Sequence, residues 1–225
     1  MKSVLRRAAS LLPDGFRRRM RRWRDASQIR QGTFSTDEPE FAQLESWIRP
    51  GDTVIDVGAN VGHYTVRLAR IVGSAGRVIA FEPVPHTFAM LVENIESASL
   101  GHVTFVNAAA TSEPARLKFD VPSWEWGGLN YYQSRVSADG KTEVVGLPVD
   151  SVLPPGKVAF VKVDVEGHEL ACLRGCRRLL ERDRPMLMVE GDEPAVREYL
   201  AGFGYAGRRL DGSPNTLYSA LSTAI

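Results

Sequence analysis

Apolar positions along this chain alternate between helical stripes and short continuous runs. Phe41, Leu44, Trp47 and Ile48 share one face of a helix predicted over 37–49, and Pro50-Gly51-Asp52 stops it. The run 53–57 reads as a buried strand. A helix follows from about Gly62 to Val72, with Tyr64, Leu68 and Ile71 facing inward. A second strand over 77–82, a helix over 85–98 with Phe88, Leu91, Val92 and Ile95 on its stripe, and a strand over 102–106 continue the alternation. It pauses at 116–121 and 142–147, which read as an antiparallel strand pair. It resumes with a strand over 158–165, a helix over 168–181, a strand over 186–189 and a helix over 194–203. Short strands over 205–210 and 216–220 finish the chain. The pattern specifies an α/β fold with a mostly parallel sheet covered by helices on both faces.

A length of 225 residues suits one domain with a substantial core. The net charge of +1 conceals an asymmetry. Residues 1–30 hold ten Lys and Arg against Asp14 and Asp25, a net +8, so the remainder carries −7. A basic N-terminal arm over 1–36 therefore precedes a mildly acidic domain over 37–225. The arm is not a secretory signal, because its apolar piece Ala8-Ala9-Ser10-Leu11-Leu12 is short and Pro13 breaks it. Met20 and Trp23, set among arginines at helical spacing, suit contact with an anionic membrane surface. No run has the length of a membrane span, so the expected location is cytoplasmic, with peripheral membrane contact through the arm. Cys172 and Cys176 lie four apart and suit packing on one helix face rather than a disulfide framework.

Candidate chemistry centres on Asp56-Val57-Gly58-Ala59-Asn60-Val61-Gly62, a glycine turn between strand and helix. Such a turn brings backbone N–H groups close to a ligand at a helix N-terminus. Glu82 ends the next strand, where a carboxylate can hold ribose hydroxyls. A dinucleotide fingerprint fails, since Asn60 and His63 stand where glycines are needed, and no Gly-Lys-Ser/Thr follows to make a Walker loop. A smaller adenosine cofactor without a pyrophosphate fits, namely S-adenosylmethionine (SAM). Beyond it, Val161-Lys162-Val163-Asp164-Val165-Glu166-Gly167-His168-Glu169 places Lys162, Asp164, Glu166 and His168 at a strand end, the candidate catalytic group. Glu166 and Glu169 also suit helix N-terminal capping. The segment from Pro122 to Tyr132 carries Trp124, Trp126, Tyr131 and Tyr132 and suits a lid or substrate wall. No two-His cluster marks a metal centre; a divalent ion on Asp164 and Glu190 is a second way to acidify a hydroxyl.

Three blocks together resemble the FkbM family of SAM-dependent methyltransferases: residues 51–62, residues 78–83, and residues 161–169 with Leu173-Arg174-Gly175 behind them. The resemblance runs from about Asp37 to Tyr218. It implies a class I, Rossmann-like methyltransferase fold with seven strands, the last antiparallel. It also implies O-methylation of a hydroxyl on a sugar, glycolipid or secondary metabolite. By position, Asp56, Gly58, Asn60 and Gly62 would surround the methionine end of SAM, Glu82 would hold the ribose, and Asn107 and Ala108 would border the adenine. The expected partner is a small-molecule or glycan acceptor. A nucleic-acid methyltransferase is the rival reading: the arm's arginines favour it. The acidic body and the lack of an Asn/Asp-Pro-Pro-aromatic motif oppose it. A SAM-binding or partner-binding domain without turnover is the non-enzymatic alternative.

Overall fold

A computed structural model describes residues 14–122 and 134–221. Strands β1 (Thr53–Val57), β2 (Arg77–Phe81), β3 (Val103–Val106), β8 (Val158–Val163), β9 (Met186–Glu190), β10 (Tyr205–Arg209) and β11 (Asn215–Ala220) form one sheet. Their order is β10-β11-β9-β8-β1-β2-β3. All neighbours run parallel except β11, which is antiparallel to both β9 and β10. The seven strands and the reversed last strand match the expected architecture.

Strand periodicity sorts the apolar side chains to two faces. Ile55, Val57, Val161, Val163, Leu187 and Val189 pack with Cys172, Leu173, Leu179, Leu180, Val196 and Leu200. Those partners come from α5 (Glu169–Arg174), α6 (Arg177–Arg182) and α7 (Pro194–Ala201). On the other face, Val54, Val78, Phe160 and Met188 meet Leu44 of α2 (Leu44–Trp47) and Tyr64, Leu68 and Val72 of α3 (His63–Val72). Ala80 meets Leu91 and Ile95 of α4 (Pro85–Ser97) there, beside Ile29 of α1 (Asp14–Gln31). Burial on both faces explains the near-continuous apolar runs.

The expected antiparallel pair is present as β5 (Ala115–Asp120) with β7 (Thr142–Leu147). It belongs to a second sheet of order β4-β7-β5-β6, completed by β4 (Ala109–Ala110) and β6 (Arg135–Val136). Two-residue strands carry too little periodicity to read from sequence.

Two expected helices differ. The helix over 168–181 is two helices, because Asp150 intervenes at its middle. Asp150 accepts the N–H groups of Arg178 (2.7 Å) and Leu179 (3.0 Å) and so caps a new helix start. Gly175 sits at the break, where a Cβ would lie 2.1 Å from the Thr111 carbonyl oxygen. Cys172 and Cys176 are buried free thiols on this corner, as their spacing implied. The helix over 37–49 is a 3-10 turn (Pro39–Gln43) followed by one α turn. Glu40 is fully buried and accepts hydrogen bonds from Ser213 (2.6 Å) and Asn215. The segment is thus tied to the start of β11.

Candidate active site

The cavity lies at the carboxyl ends of β1, β2, β8 and β9, the usual ligand position in open α/β sheets. Its floor is the β1–α3 turn. Gly58 has φ +80, and a Cβ there would fall 1.7 Å from the Asp164 carbonyl oxygen. Only glycine lets the ends of β1 and β8 approach this closely. Asn60 also holds a left-handed conformation (φ 50). It lines the cavity, and its Oδ1 is buried with no partner among the described residues.

Glu82 lines the cavity and is 5% exposed. Its Oε2 accepts the Asn60 N–H and its Oε1 the Val84 N–H, both at 2.9 Å. Burial pushes its carboxyl up to about 7 despite those two bonds. A carboxylate has about four acceptor positions, so two remain for ligand hydroxyls.

Asp164, Glu166 and His168 line the opposite wall, together with Glu190 from the end of β9. Lys162 Nζ donates to Asp164 Oδ2 at 2.7 Å. Burial opposes the charge of Asp164, but Lys162 holds its carboxyl below the usual value. Glu190 is pushed up to about 8 by burial and by the charge of Asp164. A hydrogen bond to Asp164 adds to this and favours the protonated form of Glu190, while Lys162 favours the ionised form of Asp164. Oxygens of Asp164, Glu166 and Glu190 lie within 4.8 Å of one another, a spacing compatible with a divalent cation. Burial lowers the His168 pKa, and its Nε2 lies 3.4 Å from Thr111 Oγ1.

Several residues singled out in the sequence stand off the cavity. Asp56 and Lys162 fall on strand positions that face α3. Asp56 is fully buried and accepts from Thr65 Oγ1 at 2.6 Å. Lys162 is 2% exposed, with Nζ 4.6 Å from the Tyr64 ring centroid. Burial opposes its charge, yet Asp164, Asp56 and Glu38 keep its pKa raised. Lys162 thus sets the charge of Asp164 from beneath. Gly62 caps α3 in a left-handed conformation, with Leu91 against it. Asn107 Nδ2 donates to the carbonyls of Glu82 (2.8 Å) and Pro83 (3.1 Å) and so holds the turn after β2. Its neighbour Ala108 does line the cavity. Glu169 is structural, since its Oε1 accepts the N–H groups of Val165 and Gly167. The aromatic segment with Trp124, Trp126, Tyr131 and Tyr132 lies largely outside the described residues.

Glu38 is the cavity residue the sequence concealed. It accepts a hydrogen bond from the Tyr64 hydroxyl, and burial raises its pKa. It precedes β1 by fifteen positions and belongs to no motif, so only the packing of that segment reveals it. Phe119 and Val136 of the second sheet form a further wall, likewise without a motif.

Comparison with known proteins places this geometry. A family model described as the methyltransferase FkbM domain matches residues 56–206. The hexuronic acid methyltransferase AglP of Haloferax volcanii is 33% identical over 133 residues, which is 58% of this chain and 52% of that protein. The chain thus spans about half the length of this curated relative. Among solved structures, a methyltransferase FkbM from Methylobacillus flagellatus superposes with a TM-score of 0.55 at 19% identity. The match covers 80% of this chain and 50% of that one. Fibrillarin from Aeropyrum pernix with natively bound SAM superposes with a TM-score of 0.52 at 14% identity, over 80% of this chain and 73% of that one. Both likenesses concern the fold.

Proposed function

This chain belongs to the FkbM methyltransferase family, and from that premise we propose that it transfers a methyl group from SAM to a hydroxyl of a sugar or sugar-like acceptor. One observation carries the reading. One cavity is lined by Gly58, Asn60 and Glu82 on one side and by the neighbouring carboxyls of Asp164 and Glu190 on the other. The residues fit SAM. Glu82 keeps acceptor capacity for a ribose diol, Asn60 offers an unpartnered buried oxygen, and Gly58 leaves the backbone open beside them. Ala108 and the Asn107-held turn supply the adenine edge.

When bound, SAM supplies an activated methyl group with a good leaving group. The protein's task is alignment and proton removal. The Asp164–Glu190 pair is placed to take the proton of an acceptor hydroxyl. Lys162 keeps Asp164 ionised, so the pair takes that proton at Glu190 once Glu190 has lost its own. His168 and Glu166 line the same wall and orient the acceptor. The sugar class draws on the relative that methylates hexuronic acid. A second reading, methylation of a sugar carboxylate, draws on the same relative; it requires no proton acceptor and leaves the carboxyl pair without a task.

Calorimetry tests the cofactor half. SAM and its demethylated product are expected to bind and NAD is not. Ribose hydroxyls donate to ionised Glu82, so affinity is highest above about pH 7 and falls as the pH drops through it, levelling off once Glu82 is protonated. Glu82→Gln should be weaker at pH 8 and lose this pH dependence. NAD binding without SAM binding would overturn the reading.

A further inference from the structure

We propose that α1 docks the protein on a bilayer surface carrying anionic lipids, with Phe16, Met20 and Trp23 inserted among the acyl chains and headgroups. The helix runs from Asp14 to Gln31 and lies against α4. Arg22 pairs with Glu93 at 2.9 Å, and Arg21 Nη1 approaches Met90 Sδ at 3.6 Å. Asp25 and Ile29, 1% and 3% exposed, mark its buried side. Asp25 is nine positions from Phe16, two and a half turns, so the two residues point in opposite directions. Phe16, Met20 and Trp23 follow the spacing of a single helix face. They are 51%, 52% and 72% exposed, which makes them three of the five large apolar side chains exposed among the described residues. An outward apolar stripe on a helix whose inner side is already packed has no task in the fold itself.

The charges choose the partner. By helical position Arg19 and Arg30 flank the stripe on one side, both exposed. On the other side Arg24 is exposed too, but its guanidinium pairs with Asp25 at 2.6 Å. That arrangement matches a helix lying in a membrane interface. Apolar and tryptophan side chains enter the boundary, and arginines reach the phosphates around them. Residues 1–13 add Lys2, Arg6 and Arg7 with no acid, which extends the attraction to an anionic leaflet. A nucleic acid would meet the same arginines, but its phosphates would face the apolar stripe at the centre of the contact. A second copy of this chain would bring like charges together around the stripe. From α1 the chain passes Phe34, whose ring stacks on His63 at 4.2 Å, to Glu38 in the cavity wall. Docking therefore anchors the helix whose chain continuation forms part of the site.

The test is sedimentation of the full chain with vesicles of phosphatidylcholine alone and with a phosphatidylserine fraction, at low and high salt. Binding is expected only with phosphatidylserine and should weaken at least about tenfold at high salt. The variant Phe16→Ser/Met20→Ser/Trp23→Ser should lose binding by a similar factor at low salt. It should melt at the wild-type temperature, because the stripe contributes nothing to the core. Arg19→Gln/Arg30→Gln should reduce both the affinity and its salt dependence. Failure to bind phosphatidylserine vesicles, or undiminished binding by the serine variant, would overturn the proposal. So would a wild-type dimer that the serine variant turns into a monomer without any vesicle binding, which would assign the stripe to a second copy. Tighter binding to RNA or DNA than to vesicles, unchanged in the serine variant, would assign the arginines to nucleic acid.

Discussion

Glu190→Gln is expected to lower kcat by about 10²–10⁴-fold while leaving SAM affinity unchanged. The substitution is nearly isosteric and keeps a donor toward Asp164, so the wall retains its shape. What it removes is the carboxyl that titrates at about 8. The wild-type rate should therefore follow the unprotonated fraction of Glu190. It rises with pH through about 8 and levels off above. In Glu190→Gln that limb disappears and the residual rate is flat. Asp164→Asn should lower kcat as well, but it also strips a partner from buried Lys162, so a thermal melt must accompany it. A kcat–pH profile of both variants checks these statements. Full turnover with an unaltered limb in Glu190→Gln would place the proton acceptor elsewhere.

Gly58→Ala should abolish cofactor binding and destabilise the fold by more than about 3 kcal/mol, above the ordinary range for a single substitution. The added Cβ would meet the Asp164 carbonyl oxygen at 1.7 Å, so β1 and β8 must part where the two halves of the site join. A left-handed conformation alone costs alanine about 1–2 kcal/mol. Gly51→Ala isolates that cost, since Gly51 has φ +89 and nothing within 4 Å of a Cβ. For a chain of this size the Gly58 variant should melt at least roughly 2–8 °C below the Gly51 variant. Equal melting temperatures, with SAM binding retained in both, would refute the close-approach argument.

The sheet was legible because strands buried on both faces leave near-continuous apolar runs, as in Val54-Ile55 and Val158 to Val161. The glycine turn and Glu82 were legible because local backbone geometry and a single following strand bring them together. Which side chains enter the cavity was less legible. Asp56 and Lys162 lie two positions before cavity-lining Gly58 and Asp164, deeper in their strands, where the packing of Thr65 and Tyr64 of α3 buries them below the cavity. Glu38 reaches the cavity only because buried Glu40 ties its segment to Ser213 and Asn215, about 170 residues away. The break at Gly175 depends in the same way on Asp150, which arrives from another part of the chain. Contacts of such long sequence separation leave no periodicity to read.

The central claim, methyl transfer within this cavity to a sugar hydroxyl, is tested most directly by mass spectrometry of products. Purified protein is incubated with SAM carrying a deuterated methyl group and a panel of neutral and uronic acid glycosides. The account predicts one labelled methyl per acceptor, held as an ether that survives mild base, and sharply reduced product with Glu82→Gln or Glu190→Gln. A label released by mild base, as a methyl ester is, or product formation unaffected by both substitutions, would contradict it.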